Sequence, residues 1–162
     1  MKIRRAEEKD IERIIELLHE VLEVHAKLRP DIFVSGTTKY SKDEISAMLS
    51  DDDTPIFVAA DESDTVMGYV FCQRMEQPHA DTMVPFSSIY IDDLCVDPKC
   101  RGQHVAEELF TYVKEEAGRL GCYEITLNVW NGNAPAERFY EKMGMKPQEK
   151  YMELVLVDCR KA

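Results

Sequence analysis

Apolar residues recur along the chain at two spacings, and these spacings predict where helices and strands lie. Between Asp10 and Pro30 they recur every three or four positions, which is typical of an amphipathic helix. Asp10 is its expected N-cap, and the residue before Pro30 is pushed out of the helical region, so the helix should end there. Ser41 and Glu44 stand at the spacing of a capping box and predict a second, short helix through Leu49.

The remainder of the chain alternates short apolar runs with turn residues, which predicts mostly strands. Between Ile91 and Leu94 the apolar alternation slips by one residue, which indicates a β-bulge. We predict strands over 1–5, 56–60, 66–75, 87–96, 124–129 and 151–157, and two further helices over 103–120 and 134–143. The order β-α-α-β-β-β-α-β-α-β predicts a mixed sheet of the α/β (α+β) class in one domain over residues 1–162.

Charge and cysteine usage narrow the function classes. The chain has 31 acidic and 20 basic residues, a net charge of −11, so we expect neither a nucleic acid nor an anionic membrane as partner. No run of eighteen apolar residues occurs and no apolar stretch follows the basic N-terminus, which argues against membrane insertion and secretion. Five cysteines without metal-type spacing predict no metal site and a reducing, cytoplasmic location.

A first candidate site follows the strand that ends at Val96, where a proline turn and an Arg-Gly loop lead into a helix. Such a loop presents backbone N–H groups at a helix N-terminus, and Arg101 adds positive charge, so a pyrophosphate would fit. A short glycine loop is a weak motif by itself. The alternative is an ordinary turn with a solvated arginine.

A second candidate site lies on the helix predicted after Trp130. Asn133 occupies its N-cap position, and the seven residues from Asn133 to Tyr140 are two helical turns, so both side chains project from one face. A capping asparagine and a core tyrosine would explain the same pattern. Trp130 either lines a pocket or packs.

Together these units resemble the GNAT family of N-acetyltransferases. The family's V-x-P-x-x-R-G-x-G-x-G/A loop is matched by Val96, Pro98, Arg101, Gly102, Gln103 and Ala106, and its N-x-x-A-x-x-x-Y-x-x-x-G helix by Asn133, Ala136, Tyr140 and Gly144. The element order agrees along essentially the whole chain. The resemblance implies a mixed sheet of six to seven strands with about four helices. It also implies direct acetyl transfer from acetyl-CoA to a primary amine of a small molecule or a peptide N-terminus.

The resemblance further implies roles for individual residues. Tyr140 would protonate the departing thiolate, and a backbone N–H near the bulge would stabilise the oxyanion. Asn133, with Ala136 beside it, would bind the cofactor. The pyrophosphate would lie on the loop residues Arg101, Gly102, Gln103, His104, Val105 and Ala106, and the pantetheine arm along Leu94, Cys95 and Val96. Dimers are common among relatives, so we expect a homodimer.

Two positions leave alternatives open. His104 stands where the family has its middle glycine, so its side chain either points outward or contacts phosphate. This departure motivates a second hypothesis, a catalytically silent module that binds acyl-CoA. Asp92 matches an acidic residue of related acetyltransferases and is our candidate base, against a purely solvated or ion-paired role. Strand alternation predicts that Asp93 faces the opposite side.

The net negative charge bears on both substrates. A polyanionic donor requires positive charge concentrated locally, at Arg101 and the helix N-terminus, with help from Arg138 and Lys142. The excess of acidic residues elsewhere in the chain favours a cationic acceptor, although a role in solubility explains the same charge.

Overall fold

A computed structural model describes residues 1–76 and 81–156. Its centre is a five-stranded sheet in the order β1-β2-β3-β4-β5, in which the first four strands are antiparallel and β5 runs parallel to β4. The strands described are β1 (Lys2–Arg5), β2 (Ile56–Ala60), β3 (Val66–Glu76), β4 (Ser87–Val96) and β5 (Glu124–Leu127). The helices are α1 (Ile11–Leu28), α2 (Lys42–Leu49), α3 (Val105–Arg119) and α4 (Ala134–Lys142).

Helices cover both faces of the sheet, and their apolar stripes form two cores. α1 and α2 pack on one face around Tyr69 and Phe71, whereas α3 packs on the other face around Val70 and Ile91. The buried positions of α3 recur at helical spacing: Val105, Leu109, Phe110, Val113 and Ala117.

The predicted start of α2 is confirmed in detail. The Ser41 side chain accepts a hydrogen bond from the Glu44 N–H, and the Glu44 carboxylate accepts one from the Ser41 N–H at 2.7 Å. Together these bonds satisfy two backbone donors that the helix itself cannot pair. This cap fixes the end of the α1–α2 connection, which carries Lys39 and Tyr40.

The predicted bulge in β4 is also confirmed. Phe71 of β3 lies opposite Asp93, whereas the next residue, Cys72, lies opposite Ile91, so Asp92 is the extra residue. As a result Ile91 faces the α3 core and Cys95 faces the α1 core, although regular alternation would put both on one face. The bulge therefore reverses the faces of β4 for all residues that follow it.

β4 and β5 separate at the same point. Their parallel ladder joins Ser88 to Glu124 and ends with Ile91 opposite Leu127. β4 continues to Val96, but its second half has no β5 partner within the described residues. Backbone groups along 92–96 therefore face a gap.

Two features of the described chain differ from the sequence prediction. The strand predicted over 151–157 is wrong for 151–156, which pair with no strand and are exposed, Tyr151 by 99%. Val157 lies outside the described residues, as do positions 77–80 of the loop predicted after β3. The described sheet consequently has five strands rather than six to seven. Within the described ranges, no helix combines the length and apolarity that crossing a membrane requires.

Candidate active site

Asp97 stabilises the connection from β4 to α3 through two contacts of its side chain. Its buried side chain accepts a hydrogen bond from the Lys99 N–H at 2.8 Å and caps the single 3₁₀ turn Pro98–Cys100. The same carboxylate forms an ion pair with Arg13 of α1. Because these contacts join the turn to α1, they position the loop that follows.

That loop forms a cleft of about 230 Å³ at the N-terminus of α3. Gly102 and His104 adopt positive φ values of 76° and 62°, the left-handed region that favours glycine. The cleft brings together six of the predicted cofactor residues and adds three that the sequence did not single out. It is lined by Val96, Arg101, Gly102, His104, Val105 and Ala106, with Cys100, Glu107 and Phe139 as the additions.

His104 is the N-cap of α3, one residue before the first helical turn. Its side chain is 70% exposed, and Nδ1 lies 3.3 Å from the carboxylate of Glu107. The side chain is thus exposed at the cleft, and both alternatives for His104 stay predictions. The left-handed backbone explains why the family pattern has glycine here.

Charges around the cleft are partly paired. Glu107 forms an ion pair with Lys142 of α4 at 2.6 Å, and the hydrogen bonds from Lys142 and His104 hold the pKa of this carboxyl below its usual range. Lys142 is therefore engaged with Glu107, whereas Arg101 is exposed at the mouth of the cleft. Gln103 is exposed as well, and its side chain donates to the Lys99 carbonyl at 3.4 Å.

The second predicted unit forms α4. Asn133 caps this helix by accepting a hydrogen bond from the Ala136 N–H at 3.4 Å. Tyr140 lies two turns further on and packs against Phe110 and Phe139. Burial, with a contribution from the nearby Asp93 carboxylate, raises the pKa of Tyr140 above its ordinary value, so the phenol stays protonated at neutral pH.

The bulge turns both aspartates toward the α1–α2 side, so the prediction that they face opposite sides is wrong. Asp92 accepts a hydrogen bond from the Tyr40 hydroxyl at 2.7 Å and forms an ion pair with Lys39 at 2.7 Å. Tyr40 in turn stacks on Phe71, which lies directly across from Asp93. Asp92 is thus already paired within the chain.

Asp93 has a different environment. Burial raises its pKa to about 7, and the Asp92 charge acts in the same direction while Lys39 opposes it. The hydroxyl of Tyr69, which is fully buried beside it, interacts with the Asp93 carboxyl and favours its charged form.

A group of aromatic and charged side chains joins the end of α1 and the α1–α2 connection to the segment after β5. Phe33 contacts both His25 and Trp130, each at a ring-centroid distance of 5.2 Å. Arg29 lies over the Trp130 ring at 5.6 Å and forms an ion pair with Glu153 at 2.6 Å. Trp130 therefore packs against this connection.

Cysteine chemistry is disfavoured at the bulge. Burial raises the pKa values of Cys72 and Cys95 to about 12, so neither thiol ionises near neutral pH. Cys95 directs its Sγ toward the Leu17 carbonyl at 3.6 Å. Across 1–76 and 81–156, no group of His, Cys, Asp or Glu residues is arranged to hold a metal ion.

The geometry fits an extended donor that ends in a phosphate group. The left-handed loop at the α3 N-terminus can receive an anion, and the open edge of β4 can pair with an added extended chain. Leu94, Cys95 and Val96 lie on this edge, whereas Asn133 and Ala136 lie on α4 and do not line the cleft. The bulged strand therefore opens toward a helix N-terminus, and a buried phenol lies on the helix that follows β5.

The chain belongs to the acetyltransferase (GNAT) family, whose model matches residues 5–145. A mutant of the BH1408 protein from Bacillus halodurans has the same fold, with a TM-score of 0.93 and 30% identity over 97% of this chain and 100% of that one.

Two curated relatives are similar over part of their length. Glucosamine 6-phosphate N-acetyltransferase of Trypanosoma brucei brucei is 34% identical over 67 residues, 41% of this chain and 44% of the relative. Mycothiol acetyltransferase of Brachybacterium faecium is 32% identical over 102 residues, 63% of this chain and 29% of the relative. The chain spans less than half the length of either relative.

Proposed function

We propose that the protein transfers an acetyl group from acetyl-CoA directly to the primary amine of a small molecule or a peptide N-terminus. The observation that carries this proposal is the gap between β4 and β5, which opens at the bulge that carries Asp93. The charge of Asp93 also acts on the Tyr140 phenol and raises its pKa. The cleft at the α3 N-terminus follows the same strand end.

Asp93 is the better candidate for the base. A carboxyl with a pKa of about 7 can both accept and release a proton near neutral pH, as general base catalysis requires. Asp92 is held by Lys39 and Tyr40, so we assign it a positioning role.

Tyr140 supplies the acid. Its phenol is neutral when the thioester bond breaks, so it can donate a proton to the departing sulfur. The donor contributes the activated acetyl group, and the chain's own residues hold it and move the protons. In this proposal, backbone N–H groups on the unpaired side of β4 stabilise the negative charge that develops on the acetyl oxygen.

Two observations bear on the class of the acceptor. The name of the trypanosome relative specifies an amino sugar phosphate, which supports a small amine-bearing acceptor. The net charge of −11 favours a cationic amine. Which amine is used is a question for a substrate panel.

The test combines donor binding with product release. Calorimetric titration with acetyl-CoA should show saturable binding, and chromatography should detect free CoA when polyamines, amino sugars and short peptides are supplied in turn. Chromatography is preferable to a thiol reagent because the protein has free cysteines of its own. The absence of donor binding at millimolar concentration would overturn the proposal, and binding without release across a broad panel would favour the silent module.

A further inference from the structure

Lys39 places a primary amine at the bulge. Its Nζ lies 2.7 Å from the Asp92 carboxylate and donates to the Asp92 main-chain oxygen at 3.1 Å. Asp92 is the inserted residue at which the β4–β5 ladder has ended. The ammonium of Lys39 therefore touches the backbone at the point where the gap begins.

The side chain of Lys39 is less exposed than those of Lys42 and Lys142. Its side chain is 39% exposed, and the Asp92 side chain that holds it only 11%. Lys42, three residues later, is 57% exposed and pairs with Glu12 at the surface. Lys142 is 62% exposed and also pairs at the surface. Simple exposure would therefore make Lys42 and Lys142 more reactive than Lys39.

Titratable groups of the proposed reaction interact with this amine and with one another at the bulge. The charge of Lys39 acts on the Asp93 carboxyl, and the charge of Asp93 acts on the Tyr140 phenol. The hydroxyl of Tyr69 is buried and interacts with Asp93. The bulge thus carries a carboxyl suited to act as a base and a primary amine that belongs to the chain itself.

We propose that Lys39 is a self-acetylation site, at which the protein acetylates its own side chain when acetyl-CoA is bound and no acceptor is present. The proposal rests on the proposed function, because the same base and acid would act on an external amine. An external cationic amine would take the place of Lys39 at Asp92.

The transfer balances without a further reactant. Asp93 accepts a proton from the Lys39 ammonium, and the neutral nitrogen attacks the acetyl carbon and forms the C–N bond. The C–S bond then breaks, its electron pair goes to sulfur, and the Tyr140 hydroxyl protonates the thiolate. The nitrogen loses its second proton to solvent, and the proton held by Asp93 restores the Tyr140 phenol, so the products are acetyl-lysine, CoA and one proton.

The experiment incubates the full chain with acetyl-CoA and locates the added acetyl groups by peptide mass spectrometry. We expect Lys39 to be labelled faster than Lys42, at a rate independent of protein concentration because the step is intramolecular. Tyr140→Phe should slow labelling of Lys39 by at least about tenfold while leaving the slow, non-enzymatic labelling of Lys42 unchanged. Lys39→Arg keeps the cation beside Asp92 and should lose this label, whereas Lys42→Arg should retain it.

Three results would overturn the proposal: equal labelling of Lys39 and Lys42, a rate that rises with protein concentration, or labelling unaffected by Tyr140→Phe. The amine panel is run in parallel. CoA release with an added amine, together with no Lys39 label when the amine is left out, overturns self-acetylation and leaves the proposed function standing. No donor binding overturns both.

Discussion

Replacing Asp93 with asparagine should make the protein more stable at alkaline pH and nearly inactive. The folded-state pKa of about 7 lies above the ordinary value of 3.8, because burial disfavours the charged carboxylate. The folded protein therefore holds this proton more tightly than the unfolded chain does. Stability falls as the pH rises from about 4 to about 7, and the full penalty applies above that range.

The magnitude follows from the linkage relation. A shift of this size makes the carboxyl cost about 2 kcal/mol of stability at about pH 5.5 and about 4 kcal/mol at about pH 8.5. Asp93 retains part of its exposed surface, which weakens the effect. Relative to wild type, we therefore expect Asp93→Asn to gain about 1–2 kcal/mol more stability at the higher pH than at the lower one.

Urea unfolding followed by circular dichroism at both pH values measures this difference. A comparison between two pH values cancels any constant change in packing or hydrogen bonding. Asp92→Asn is the matched comparison: it removes the charge that pairs with Lys39 and that raises the pKa of Asp93, so its stability relative to wild type should change less between the two pH values than that of Asp93→Asn. A stability difference for Asp93→Asn that does not change with pH would refute the environment assigned to this carboxyl.

The remaining predictions concern backbone fit and catalysis. A Cβ at Gly68 would lie 2.7 Å from the Cys95 carbonyl oxygen, so Gly68→Ala should destabilise the protein by about 1–3 kcal/mol in urea unfolding. Gly118→Ala, in the open surroundings of α3, should instead stabilise it by about 0.5–1 kcal/mol, and equal effects would contradict this account. His104→Gly should raise stability by about 1 kcal/mol by removing left-handed strain, with donor affinity unchanged by calorimetry. Tyr140→Phe should lower kcat on the order of 10²-fold while donor affinity stays constant, and an unchanged kcat would remove the phenol from the acid role.

Local signals in the sequence were sufficient for most of the fold. The Ser41–Glu44 capping box and the apolar stripe of α3 involve residues within a few turns of each other, so a single segment contains the information. The slip between Ile91 and Leu94 likewise located the bulge. Each of these features depends on neighbouring residues only.

Features that depend on distant partners were not predictable. The apolar alternation from Tyr151 onward is typical of a strand, but a strand exists only if another one pairs with it, and 151–156 have no such partner here. Asp92 and Asp93 have different environments because Lys39 and Tyr40 contact Asp92, and both of these residues lie more than fifty positions earlier in the chain. The prediction from strand alternation was also wrong about the faces of both aspartates, because it did not include the effect of the bulge.

The single extra residue in β4 has a consequence for how this sequence can change over time. Removing Asp92 would restore regular alternation, return Cys95 to the face of Ile91, and shift every later residue of β4 to the wrong core. Point substitutions in this stretch leave the strand's length and therefore its register intact. Insertions and deletions between Ile91 and Leu94 should accordingly be far rarer in functional variants than substitutions at the same positions.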